Sequence, residues 1–375
     1  MSVKETLQKT GPKKLLALDG GGIRGMISIE VLAQIEKLLQ EKLGRDDSFV
    51  LSDYFDYIAG TSTGGIIAAG LSLGMRVSKL RDFYLDNGKE MFDPSSILRS
   101  FHYKYAADKL TTKLQEVFGV DTTLGSDKLR TLLMLVMRNA TTDSPWPVSN
   151  NPQAKYNDRA RPDCNLQLPL WQLVRASTAA PTFFPPELVT IGSREFLFVD
   201  GGVTPYNNPA FLLFLTSTLE PYRIMWPSGE QQLLLVSVGT GTTPDVRVDL
   251  KPQSMHLLYN ARSVPSALIY SSLNEQDMLC RSFGRCRVGG LLDQEIGTLQ
   301  GEFKGPVAQR LFTYLRYNTE LTHEGMTALG LPEINPEHLQ QLDSIEYMSE
   351  LQAVGKAVAK TVRLEHFESF LPALP

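Results

Sequence analysis

A serine between two glycines is the strongest candidate for chemistry in the chain. Ser62 is the central residue of the segment 60–64, GTSTG, which directly follows an apolar run at 54–59. A GxSxG pattern is typical of a sharp strand-to-helix turn with a serine hydroxyl at its apex, where bulky neighbours would not fit. Residues 65–71 are small and apolar, as expected of a helix packed closely on a sheet. The pattern predicts that Ser62 is a nucleophile.

A glycine-rich segment, DGGGIRG at 19–25, has two interpretations. As GxGxxG it would hold a pyrophosphate at a helix N-terminus, which predicts a dinucleotide-binding protein. In an acyl-transfer enzyme the same loop directs backbone N–H groups at a developing oxyanion. A dinucleotide site also needs an acidic residue about 20 positions later at the end of a second strand. The acids in that range lie in a charged helix end and loop, which favours the oxyanion interpretation; they are Glu41, Asp46 and Asp47.

The serine needs a base, and the sequence favours an aspartate. Asp200 ends the apolar run 196–199 and is followed by Gly201 and Gly202. Functional residues of an open α/β sheet gather at the carboxyl ends of its strands, so we expect Asp200 to face Ser62. The alternative is a turn carboxylate that binds nearby backbone. No histidine lies in a pattern that suggests catalysis; the five are His102, His256, His323, His338 and His366.

The elements that must position these groups alternate along the chain. Apolar runs at 14–18, 132–136, 196–199 and 233–238 predict buried strands, and apolar spacing over 27–39 predicts a helix. Such alternation predicts an α/β protein with a largely parallel, covered sheet. Four prolines between residues 139 and 169 predict a long loop, and the pattern after about residue 306 is mostly helical.

Composition narrows the function classes. The chain has 375 residues, 42% of them apolar and 21% charged, and a net charge of −4, which gives no general attraction for nucleic acid or an anionic membrane. Three cysteines predict neither a disulfide framework nor a zinc site; they are Cys164, Cys280 and Cys286. The sequence shows no signal-peptide pattern and no membrane-spanning run, so we expect a cytoplasmic protein.

Four segments in order resemble the patatin-like phospholipase family. They are DGGGIRG at 19–25, DYFDYIAGTSTGG at 53–65, ASTAAPTFFPP at 176–186 and DGG at 200–202. The resemblance extends over about 13–241. It implies a three-layer α/β sandwich with a mainly parallel central sheet covered by helices. We expect an N-terminal lead at 1–12, a catalytic core at 13–241 and a mostly helical C-terminal part at 242–375 packed on the core.

The resemblance also implies a lipid acyl hydrolase of the phospholipase A type that needs no metal or cofactor. Ser62 matches the family's nucleophile and Asp200 its base. The oxyanion hole corresponds to Gly20, Gly21, Gly22, Arg24 and Thr63, and the tight turns to Gly60, Gly64, Gly201 and Gly202. Arg24 has an alternative role, which is to pair with an acid at the base of the loop.

A phospholipid substrate implies contact with a membrane, for which the surface of the inner membrane is a candidate. The contact could be made by apolar segments such as 183–186 or 211–215, and burial of these segments in the core is the alternative. Some bacterial members are antiviral effectors activated by a cyclic nucleotide. An anionic regulator could bind basic residues, for which a solvated basic face is the alternative; they are Arg281, Arg285, Arg287, Lys104, Lys109 and Lys113. A non-phospholipid esterase, an acyltransferase, a dinucleotide-binding protein and a storage protein without turnover remain alternatives.

Overall fold

The computed structural model describes residues 2–92, 102–181, 183–244, 250, 251, 253, 255–341 and 345–371. In these residues one nine-stranded sheet has the order β5-β6-β3-β2-β1-β7-β9-β8, and β4 pairs with β3 off this path. The strands from β3 to β8 in this order are parallel, whereas β4, β5 and β6 pair antiparallel. The strands are β1 (Lys13–Leu18), β2 (Tyr57–Thr61), β3 (Leu132–Asn139), β4 (Ser144–Ser149), β5 (Glu187–Ile191), β6 (Arg194–Asp200), β7 (Leu233–Val238), β8 (Arg285–Val288) and β9 (Thr313–Tyr317).

Helices cover both faces of this sheet. The helices are α1 (Val3–Gln8), α2 (Gly25–Lys42), α3 (Thr63–Ser72), α4 (Val77–Phe92), α5 (His102–Phe118), α6 (Leu170–Ser177), α7 (Ala210–Thr218), α8 (Leu257–Phe283), α9 (His323–Ala328), α10 (Pro336–Gln340) and α11 (Met348–Ala359). On β1, Leu16 and Leu18 pack with side chains of α2 and α3, while Leu15 and Ala17 pack with side chains of α7 on the opposite face. Because both faces are buried, β1 is a continuous apolar run. The fold is therefore the three-layer α/β sandwich that the sequence predicts.

The segment 139–169, expected to be a long loop, contains a strand. Strand β4 pairs antiparallel with β3, and Pro145 and Pro147 both lie in it. The amide of Asn150 donates to the carbonyl of Leu133 in β3, so even-numbered residues direct their backbone groups at β3 and odd-numbered residues direct theirs away. The two prolines, which lack an N–H, therefore fall where the ladder needs no donor. The prediction of a loop was wrong for residues 144–149, because it did not take this alternation into account, whereas residues 150–164 contain no helix or strand.

The C-terminal third also contributes to the sheet. Residues 242–375 were expected to be mostly helical, yet β8 and β9 lie there, and β9 pairs parallel with β7. The prediction of a helical pattern after residue 306 missed β9. Helix α11 packs against α2, which places the end of the described chain on the core. The division of the chain at residue 241 stays a prediction, and strands from both sides of it share one sheet.

Strand β3 brings two strand ends together. Residues 132–136 of β3 pair with β2, and residues 137–139 pair with β6. Because β4 occupies the other edge of β3 along 134–139, β2 and β6 must share one edge. They run in opposite directions, so their carboxyl ends meet: Thr61 lies opposite Val136, and Asp200 lies opposite Met137. This register positions the candidate site.

Candidate active site

Ser62 forms a sharp turn between β2 and α3. Its backbone has φ 55° and ψ −123°, a region that non-glycine residues rarely adopt and that stores strain. A Cβ on Gly60 would overlap the carbonyl of Gly64, and a Cβ on Gly64 would overlap the carbonyl of Leu18 in β1. The glycines that the sequence analysis assigned to the turn are therefore sterically required there.

The side chains of Ser62 and Asp200 are hydrogen-bonded. The Ser62 hydroxyl donates to Asp200 Oδ2 over 2.6 Å, and the Gly202 amide donates to Asp200 Oδ1 over 2.6 Å. Gly201 lies against the Val136 carbonyl so closely that a Cβ would overlap it. The turn after β6 thus holds the carboxylate against the serine, as the sequence analysis expected of this pair.

Burial sets the acidity of Asp200. The residue is 3% exposed, and this desolvation raises the pKa of its carboxyl from 3.8 to about 6. The hydrogen bonds from Ser62 and Gly202 and the charge of Arg175 oppose the rise. At pH 7 to 8 the carboxyl is mostly ionised, yet it is a stronger base than an ordinary aspartate.

The glycine loop follows β1 and faces Ser62. The amide of Gly20 donates to the Asn207 carbonyl over 3.0 Å, so this N–H is already used, in contrast to its expected role as an oxyanion donor. The amides of Gly21, Gly22 and Thr63 make no hydrogen bond within the described part of the chain. These three N–H groups, at the start of the loop's 3-10 turn and of α3, are the donors that remain available.

An ion pair from the C-terminal third fixes the base of the glycine loop. Asp19, at the end of β1, accepts two hydrogen bonds from Arg316 of β9, over 2.9 and 2.6 Å, and both side chains are buried. Arg316 also donates to Ser237 over 2.8 Å. Arg316 was not predicted from the sequence, because it lies far from the motifs along the chain. The feature of the sequence that could have identified it is a single arginine within an otherwise apolar strand pattern.

Arg24 does not pair with the acid at the base of the loop, because Arg316 occupies Asp19. The Arg24 Nε lies 3.4 Å from the Gly21 carbonyl, and its Nη1 is buried without a hydrogen-bond partner among the described residues. Burial lowers the pKa of Arg24 to about 10, a fall that the charge of Asp19 opposes, so the group stays cationic at neutral pH. Arg24 therefore lies beside the loop, and its Nη1 group remains available to donate a hydrogen bond.

Ser177 is a second positioning group that the sequence analysis did not single out. Its hydroxyl accepts from the Ser62 amide over 3.0 Å and donates to the Val136 carbonyl over 2.6 Å. It ties the strained turn to β3. Ser177 lies in the segment 176–186 quoted for the family resemblance, which was the one signal for it.

A cavity of about 510 Å³ opens over Ser62 and Asp200. Its floor is the glycine loop and Arg24, and most of its wall is apolar; the apolar side chains are Ile66, Phe92, Leu110, Ala180, Pro181, Phe183, Phe184, Val203, Pro265 and Ile269. Ligand sites commonly have this size and this mixture of apolar wall and few polar groups. The cavity suits an apolar chain whose polar end reaches the serine.

The histidines lie elsewhere. Among the residues that the structure describes, none of those lining the cavity is a histidine. His256 caps α8, His338 stacks on Tyr347, and His366 shares a hydrogen bond with Tyr317. The side chain of His102 lies outside the described residues.

The expected anion-binding cluster is paired with acids. Arg281 is buried against Asp277, and Arg285 and Arg287 both contact Glu230. Arg285 also contacts Glu302 and Lys113 contacts Glu116, while the side chain of Lys104 lies outside the described residues. Binding of an anionic regulator to this cluster stays a prediction, and each of its three arginines already contacts a carboxylate.

The two segments considered for membrane contact are mostly buried or partly buried, and Pro186 is exposed. Phe183 and Phe184 line the cavity, and Leu213 and Phe214 of α7 are buried against the sheet. The alternative of burial in the core therefore applies to residues 212–214 and to Phe184, whereas Pro186 lies at the surface. Within the described ranges, we find no helix with the length and apolar content to span a bilayer.

Comparison with known sequences places this site in a family. The profile of the family described as patatin-like phospholipase matches residues 16–214, which include the glycine loop, Ser62 and Asp200. The chain belongs to the patatin-like phospholipase family. The matched region begins within β1, contains β2 to β6 and ends within α7, before β7, so Arg316 lies outside it.

Relatives of this patatin-like protein include named phospholipases. The chain is 33% identical over 262 residues to an intracellular phospholipase A2 of Caenorhabditis elegans, covering 66% of this chain and 22% of that protein. It is 33% identical over 251 residues to patatin-like protein 4 of Arabidopsis thaliana, covering 61% and 59%. It is 32% identical over 212 residues to a cGAMP-activated phospholipase of Vibrio cholerae, covering 53% and 56%. The matches thus span less than two thirds of each relative.

Proposed function

We propose that this protein hydrolyses fatty-acyl esters of membrane phospholipids, with Ser62 as nucleophile and Asp200 as base. The observation that carries the proposal is the 2.6 Å hydrogen bond from the Ser62 hydroxyl to a buried carboxylate. The apolar cavity above this pair supports a lipid substrate, as do the relatives named phospholipases.

The proposed acyl transfer uses these groups in the following order. Asp200 takes the Ser62 proton while the hydroxyl oxygen attacks the ester carbon, and the carbonyl oxygen becomes an oxyanion. The free amides of Gly21, Gly22 and Thr63 are the donors for that charge. Asp200 then gives the proton to the leaving alcohol, which leaves an acyl-serine. Water that loses its proton to Asp200 attacks the acyl-serine, and the fatty acid departs as Ser62 recovers its proton.

An aspartate serves as base here because of its burial. Deprotonating a serine is difficult for a carboxylate with an ordinary pKa near 3.9, so a raised pKa reduces the cost of the transfer. The value of about 6 for Asp200 keeps the group ionised at neutral pH while bringing its basicity closer to that of a histidine.

The proposal also covers what activates the enzyme and where in the cell it acts. Phospholipases named as cGAMP-activated, from Vibrio cholerae and Escherichia coli, are 32% and 30% identical to this chain. We therefore propose a cyclic dinucleotide as activator and the inner face of the cell membrane as the site of action. The arginines of the paired cluster are not its binding site in this proposal, since their charges are already neutralised.

The test is product analysis by mass spectrometry after incubation with mixed-phospholipid vesicles, with and without cGAMP. The wild-type protein should release free fatty acid and lysophospholipid, and Ser62→Ala and Asp200→Asn should each lower the rate by about 10³-fold or more. Matched exposed controls, Ser48→Ala and Asp143→Asn, should retain the wild-type rate. Equal rates in the Ser62 and Ser48 variants would overturn the proposal, and a rate unaffected by cGAMP would overturn its regulatory part.

A further inference from the structure

Helix α8 carries apolar side chains that the fold leaves in solvent. Leu268 is 65% exposed and Val264, one turn earlier, is 48% exposed. Met255, just before the helix, is 50% exposed. Since Val264 and Leu268 are four residues apart, they lie on one side of the helix. We call Val264 and Leu268, together with Val203 of the neighbouring turn, the α8 face.

The α8 face adjoins the mouth of the cavity. The cavity is lined by residues of α8 that are sequence neighbours of Val264 and Leu268, namely Pro265, Ser266 and Ile269. The helix also packs against the turn Gly201–Val203, which follows Asp200. Val203 is both a cavity residue and 42% exposed, so it joins the wall of the cavity to the outer surface. Exposed apolar residues and residues that line the cavity of Ser62 therefore lie next to each other on α8 and on the turn after Asp200.

Residues 255–274, which include the exposed part of α8, carry few charged side chains. Residues 255–274 contain no aspartate or glutamate, and Arg262 is their sole lysine or arginine. The chain as a whole has a net charge of −4, so acids are concentrated elsewhere. The part of α8 before Glu275 therefore has exposed apolar residues and no carboxylate, so it can enter the interfacial region of a bilayer without burying a negative charge or being repelled by anionic lipid.

We propose that the α8 face docks on the surface of a phospholipid bilayer and opens the cavity directly to the lipid. This inference rests on the proposed function, because a phospholipid substrate supplies its own surface. A lipid whose acyl chain passes from the bilayer to the cavity along the α8 face avoids exposing that chain to water. A second copy of the chain seated on the same face would cover the cavity mouth and exclude substrate, which is why a lipid surface is the better occupant.

Vesicle binding in the Ser62→Ala background tests the proposal without turnover. Sucrose-loaded vesicles of phosphatidylcholine and phosphatidylglycerol are sedimented with protein that carries Val264→Asp and Leu268→Asp. The vesicle partition coefficient should fall about tenfold or more for each of the two side chains, and so about a hundredfold for the double variant, because neither side chain then enters apolar surroundings. Leu291→Asp is the matched control, since Leu291 is 52% exposed and adjoins Gly290, whose carbonyl accepts from Arg281 near the far end of α8.

The outcomes separate the docking face from the catalytic proposal. Unchanged vesicle binding in the double variant, or an equal loss in the Leu291 control, would overturn the docking face. A wild-type dimer that the double variant converts to a monomer, with vesicle binding intact, would assign the face to a second copy instead. Wild-type protein that binds vesicles through α8 but releases no fatty acid would contradict the proposed function and leave the docking face standing. Leu268→Ser, a milder change at an exposed position, repeats the test if the double variant does not fold.

Discussion

Replacing Asp200 with asparagine is expected to abolish hydrolysis and at the same time to stabilise the folded protein at neutral pH. Asparagine has nearly the same shape, so its Oδ1 can still accept from Gly202 and its Nδ2 can face the Ser62 oxygen. What changes is the charge. The buried carboxylate is costly to the folded state, and the amide removes that cost.

The magnitude follows from the pKa of the carboxyl. It is 3.8 ordinarily and about 6 in the folded protein, a difference that corresponds to about 3 kcal/mol. The folded protein binds this proton more tightly than the unfolded chain does, so wild-type stability falls as pH rises from about 4 to about 6 and levels off above that. Asp200→Asn does not titrate. Its free energy of unfolding should match wild type below pH 4 and exceed it by about 3 kcal/mol above pH 6.

Urea unfolding followed by circular dichroism at a series of pH values from 4 to 8 measures this difference. For a chain of this length, 3 kcal/mol also corresponds to an increase in melting temperature of roughly 4 °C. Asp143→Asn, which changes an exposed carboxylate, should show no comparable gain. A variant at residue 200 that is less stable than wild type at pH 8, or a difference that does not vary with pH, would refute the reasoning about burial.

Three further substitutions probe the groups that position the site. Ser177→Ala leaves the Ser62 amide without its acceptor, and we expect a loss of about 1 to 3 kcal/mol in unfolding free energy together with a lower kcat; wild-type values of both would contradict this. Gly64→Ala introduces a Cβ that overlaps a β1 carbonyl, so soluble expression or fluorophosphonate labelling should be lost, and normal activity would contradict the steric argument. Arg316→Met leaves Asp19 buried and unpaired, which should cost about 3 to 5 kcal/mol by urea unfolding, with Arg316→Lys intermediate; equal stability of the two variants would count against the pair.

The sequence predicted the elements whose signals are local. The GxSxG turn at Ser62 is recognisable in the sequence because larger residues would not fit at its glycine positions. Strand β1 is recognisable as an apolar run because both of its faces are buried. The expected pairing of Ser62 with Asp200 relied on strand ends meeting at one edge. The structure achieves it in another way, since β6 runs antiparallel to β3 and approaches β2 end to end.

The features that the sequence did not predict depend on contacts distant along the chain. Arg316 reaches Asp19 from 297 positions away, and no local pattern encodes that partnership. The hydrogen bond from the Gly20 amide to the Asn207 carbonyl likewise joins residues that are distant along the chain. Pro145 and Pro147 suggested a loop because proline lacks an N–H, and the open edge of β4 that tolerates them becomes visible only once the sheet is assembled.

Labelling with a long-chain fluorophosphonate, followed by peptide mass spectrometry, measures whether Ser62 is a nucleophile activated by Asp200. One adduct is expected, on the peptide that contains Ser62, with no labelling in Ser62→Ala and labelling at least about a hundredfold slower in Asp200→Asn. Labelling of another residue, or an Asp200→Asn variant that reacts at the wild-type rate, would contradict it.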